Sequence, residues 1–93
     1  MVIATSSTDA SATVPVEPLG SFPSTKFGSW WIIGVSGQPA YINVGAAATT
    51  SNISFPIGVY MEPLWFPPGT VLHAITAAGS GQVWLVRCYL ANI

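Results

Sequence analysis

From Phe27 onward the chain consists of short runs of β-branched and aromatic residues, each cut off by Gly, Pro or Asn, and this punctuation constrains the fold more than any other feature. A helix in a soluble domain needs an apolar stripe at 3.6-residue spacing sustained over ten or more positions, and no such stretch can be drawn here. Six runs carry strand character: Ser29 to Ser36, Ala40 to Val44, Ile53 to Ile57, Val59 to Phe66, Val71 to Ala77 and Gln82 to Tyr89. In the first, Trp31, Ile33 and Val35 share one face and Trp30, Ile32 and Gly34 the other, so both faces are apolar. Ser36-Gly37-Gln38-Pro39 is a tight connection that predicts a hairpin between the first two runs. Ala78-Gly79-Ser80-Gly81 predicts a second hairpin between the last two. Pro56 and Pro63 restrict their strands to edges, ends or bulges, because proline cannot donate to the ladder. The expected fold is all-β: a small antiparallel β-sandwich or barrel of five to six short strands spanning residues 27–93.

Residues 1–26 read differently. They are rich in Ser, Thr, Ala and Pro and lack sustained periodicity, which predicts an extended or disordered N-terminal arm. Val14, Val16, Leu19 and Phe22 give such an arm apolar points with which to dock on a neighbour.

Composition narrows the function classes. The chain holds two Lys or Arg and three Asp or Glu in 93 residues, and its net charge is -1. Phosphate neutralisation, the usual basis of nucleic-acid binding, needs a basic surface that this chain lacks. No apolar run reaches the roughly 18 residues of a spanning helix, so no membrane partner is expected. The start of the chain has neither the basic nor the apolar region of a secretory signal. With one cysteine, Cys88, the domain has no internal disulfide and must rely on packing and assembly. Surfaces of free monomers normally carry roughly 25–35% charged residues, so a chain with 5% is expected to bury its surface against other molecules.

Catalytic chemistry finds few groups to use. Glu62 stands without a second carboxylate in the β region, the single His73 and Cys88 cannot assemble a metal site within one subunit, and Gly79-Ser80-Gly81 lies between strands rather than at a strand-to-helix elbow. No enzyme activity and no cofactor are expected. Glu62 and Arg87, the opposite charges of the β region, are candidates for a salt bridge. Trp30, Trp65, Phe66 and Trp84 are candidate interface anchors, since large aromatics dominate the cores of protein contacts. Trp30, Trp65 and Trp84 also suggest a sugar-stacking platform, although the polar side chains that accompany aromatic rings in such sites are scarce.

The block from Gly37 to Gly45, Ser54-Phe55-Pro56-Ile57, Pro68-Gly69-Thr70, Leu72-His73-Ala74-Ile75 and the run from Gly79 to Arg87 resemble, in order, the "pAYVnfG", "PIP", "THIAaI" and "SGTGtLyVtrG" segments of small virion proteins of tailed bacteriophages. The likeness spans residues 29 to 88. Val59 to Pro63 replaces that group's Gly-Gly stretch, and the 26 residues before the β region exceed its usual short N-terminus. The resemblance implies a capsid decoration or cement protein on the exterior of the virion, assembling as a homotrimer and contacting the major capsid protein. The alternative expectation is a tail or fibre module that binds a host glycan through surface tryptophans.

Overall fold

A computed structural model describes residues 1–15 and 28–88. The described residues form eight strands: β1 Val2–Thr5, β2 Ala10–Thr13, β3 Ser29–Ser36, β4 Ala40–Val44, β5 Ile53–Phe55, β6 Gly58–Phe66, β7 Val71–Ile75 and β8 Gly81–Cys88. They form two antiparallel four-stranded sheets with orders β1-β8-β3-β6 and β2-β7-β4-β5. The protein is a β-sandwich, and the two strand orders are those of an eight-stranded jelly roll. Among the described strands, β4 and β5 are the one consecutive pair that shares a sheet as neighbours, and the other consecutive strands lie in opposite sheets.

Both expected hairpins are therefore corrected. β3 is hydrogen-bonded to β8 and β6, not to β4, and β7 is bonded to β2 and β4, not to β8. The tight connections after β3 and before β8 are corners between sheets that pack on each other. Gly37 has φ +82, and a Cβ on it would lie 2.8 Å from the Gly81 Cα, while one on Gly81 would strike the Ser36 carbonyl. Turn residues allow either a reversal within a sheet or a step of roughly 10 Å to the facing one, and burial decides which occurs.

The N-terminal expectation changes more. Residues 1–15 are not an arm, because β1 extends one sheet and β2 the other. β1 pairs with β8 from Val2↔Trp84 to Thr5↔Gly81, and β2 pairs with β7 from Ala10↔Ala74 to Thr13↔Val71. Leu85 and Met1 add a reciprocal link, in which the Leu85 amide donates to the Met1 carbonyl at 2.8 Å and the Met1 amino group donates to the Leu85 carbonyl at 3.0 Å. Val14, expected as a docking point, is 0% exposed and belongs to the core. Its amide donates to Thr70 O at 2.7 Å and its carbonyl accepts from Gly69 at 3.2 Å. The remainder of the expected arm, including Val16, Leu19 and Phe22, lies outside the described residues.

Between the sheets, Ile3, Trp31, Ile33, Val35, Val83 and Leu85 meet Val14, Ala40, Leu72 and Ala74. Trp31 brings its polar N–H into this core and donates it to Ser29 Oγ at 2.8 Å, two residues back on the same face of β3. β6 behaves as its proline predicts. It is an edge strand, and opposite Ile32 the register shifts so that Met61, Glu62 and Pro63 bulge away from β3.

Candidate interaction surface

The two outer faces of the sandwich differ in chemistry. On β2-β7-β4-β5 the outward residues include Ser11, Thr13, His73 and Asn43, with Ser11 and Asn43 directly opposite His73 on either side. On β1-β8-β3-β6 the cross-strand rows are Val2-Trp84-Gly34-Val59, then Val86-Ile32 beside the Met61 bulge, then Cys88-Trp30-Trp65. None of those residues is charged. Met61 is 71% and Val2 60% exposed, and Val59, Val86 and Trp65 are exposed as well. The polar members of this face, Gln82 and Ser36, pair with each other at one end of it.

Two indoles shape the apolar face. The ring of Trp84 occupies the space that a Cβ on Gly34 would need, and a Cβ on Gly28 would lie 2.5 Å from the Trp65 ring. Both rings lie down on glycine. Their large apolar surfaces thus stay low on the sheet, and Trp30 stands at the cross-strand position opposite Trp65 between β3 and β6.

Of the expected interface residues, the structure gathers Trp30, Trp65 and Trp84 on this one face. Phe66 is half-buried and packs against the core. Val2, Ile32, Val59, Met61 and Val86 join the surface without having been expected. Their signal was the apolar character of both faces of β3 and β8, which marks an exposed face only once the other is known to be buried.

The positions of Glu62 and Arg87, the candidates for a salt bridge, and of a second pair follow from the topology. β3 runs between the strands that carry Glu62 and Arg87, so they are not cross-strand neighbours, and among the described residues the ion pair is His73 Nδ1 with Asp9 Oδ2 at 2.8 Å. Asp9 Oδ1 also accepts from the Ala48 amide at 2.9 Å. The amide first, and the hydrogen bond from His73 second, hold the Asp9 carboxyl below its ordinary pKa of 3.8. The carboxylate thereby ties the turn between β1 and β2 to β7 and to the loop after β4. Sequence reasoning missed this pair because 64 positions separate its members.

The described residues contain no cluster of three or more His, Cys, Asp or Glu able to hold a metal ion. Compared with protein-family models, curated sequences and solved structures, the chain has no match.

Proposed function

We propose that this protein is a non-catalytic structural component of a phage virion, a decoration or cement protein that assembles with copies of itself on the head exterior and reinforces the shell of major capsid protein. The observation that carries this reading is the set of exposed apolar rows on the outer face of β1-β8-β3-β6, which contain no charged residue. A face of that kind is an aggregation liability unless it is occupied, and occupancy is the ordinary state of a protein built into a particle. Jelly rolls serve in both viral shells and lectins, so topology alone supports neither reading over the other. Surface chemistry favours assembly. A sugar site would pair its stacking rings with hydrogen-bonding side chains, and around Trp30 and Trp65 the sheet neighbour is Cys88, with Val86 and Ile32 in the next row.

The test is to incubate the purified protein with expanded, undecorated capsids, sediment the particles and measure occupancy. Saturable binding at many copies per particle is expected, retained at high salt because the chain has few charges for salt to screen. Absence of capsid binding, together with glycan-array binding that is lost on Trp65→Ala, would replace this reading with the glycan-binding one.

A further inference from the structure

We infer that the outer face of β1-β8-β3-β6 is a self-association interface, and that its occupant is the same face of a second copy of this chain. The inference deepens the structural reading above by assigning the self-contact to one sheet. Charge is the first argument. A partner presenting charged groups to this face would have to strip them of water against Val2, Val59, Val86, Ile32 and three indoles, with no counter-charge in those rows to receive them. The required complement is neutral and apolar, and a second copy supplies it. The opposite sheet does not, because its outer face carries His73, held by Asp9, between Ser11 and Asn43.

Area is the second argument. Four strands at about 4.8 Å spacing and roughly 24 Å mean length project about 450 Å². Two such faces, corrugated by side chains, reach the roughly 1,000 Å² that marks the lower bound of a specific interface.

Shape is the third. Gly34 sits in mid-strand and serves no turn; its missing side chain is the seat of the Trp84 ring, as Gly28 is for Trp65. Glycine weakens a strand interior, and close approach of another group is a standard reason for its presence there. Recessed indoles leave a face low enough for a second sheet to pack at the usual separation of about 10 Å.

The experiment is sedimentation equilibrium of the full chain from low to high micromolar concentration, for the wild type, Val86→Glu and Thr13→Glu. Val86 and Thr13 are both exposed, so neither substitution enters the core. The wild type is expected to approach the mass of two chains, because a contact of one face with the same face of another copy closes as a dimer. Val86→Glu is expected to raise the dissociation constant at least about tenfold with an unchanged far-UV circular dichroism spectrum, whereas Thr13→Glu, on the opposite sheet, leaves it unchanged. A wild type that stays monomeric throughout, or a Val86→Glu variant that associates as the wild type does, overturns the inference. The capsid assay separates this result from the virion reading. An oligomer that ignores capsids sinks the virion role and leaves the interface standing, and a monomer that binds capsids does the reverse.

Discussion

Replacing Gly34 by alanine tests the seating of Trp84 directly. Gly34 has no left-handed backbone requirement, so by conformation alone alanine is acceptable there, and it is expected to stabilise the strand by roughly 0.5–1 kcal/mol relative to glycine. The added methyl, however, falls inside the Trp84 ring. To restore an ordinary carbon–carbon separation of about 3.5 Å the indole must rise by about 1 Å or more, giving up its contacts with the β3 backbone. Overpacking of this kind costs roughly 1–3 kcal/mol. Net destabilisation of about 1–2 kcal/mol is expected, and for a domain of this size each kcal/mol lowers Tm by roughly 4–8 °C. The measurement is urea and thermal unfolding followed by far-UV circular dichroism at one fixed protein concentration, since association would make Tm concentration-dependent. The same substitution in a Trp84→Val background gives the sharper reading. With the ring gone the clash is gone, so Gly34→Ala should there stabilise the protein. If alanine stabilises in both backgrounds, Trp84 does not rest on Gly34, and the account of a recessed aromatic face is wrong.

Three further outcomes follow from the geometry. Val14→Ala removes two methyl groups from a fully buried site and is expected to cost about 2 kcal/mol by urea unfolding; an effect near zero would restore the N-terminal arm. Because the Asp9 carboxyl has a folded-state pKa below its unfolded value, the unfolded chain binds the extra proton, so this group's stabilisation is present above about pH 4 and is lost as pH falls through the depressed pKa. Asp9→Asn should flatten the acid limb of stability below about pH 5, by about 1 kcal/mol or less for so exposed a pair, and an unchanged pH profile would count against the tie. Trp31→Phe strands the buried Ser29 hydroxyl and shrinks the core, with an expected loss of about 2 kcal/mol; adding Ser29→Ala should recover part of it, and no recovery would refute the role given to the 2.8 Å bond.

The strands from β3 to β8 were legible in the sequence because β-branched and aromatic runs end at Gly, Pro or Asn, and β3 and β4 begin and end where those signals place them. β1 and β2 were not legible. Four residues of Val-Ile-Ala-Thr and of Ala-Ser-Ala-Thr carry too little apolar alternation to stand out in a Ser/Thr-rich stretch, and they become strands because β8 and β7 offer them open edges. The bulge in β6 followed from Pro63, whereas the Asp9–His73 pair depended on a chain path that no local pattern encodes.

What the sequence by itself determined was the class of structure: an all-β domain that holds two Lys or Arg and three Asp or Glu. Only the tertiary structure decided which strands pair and which apolar face is left outside. A strand such as β3, with Trp31, Ile33 and Val35 on one side and Trp30, Ile32 and Gly34 on the other, satisfies the alternation rule whichever face is buried. The choice was made by the facing sheet, where Val14, Ala40, Leu72 and Ala74 fill the space against the first set. That left Trp30 and Ile32, with Trp84 laid over Gly34, on the outside of the sandwich.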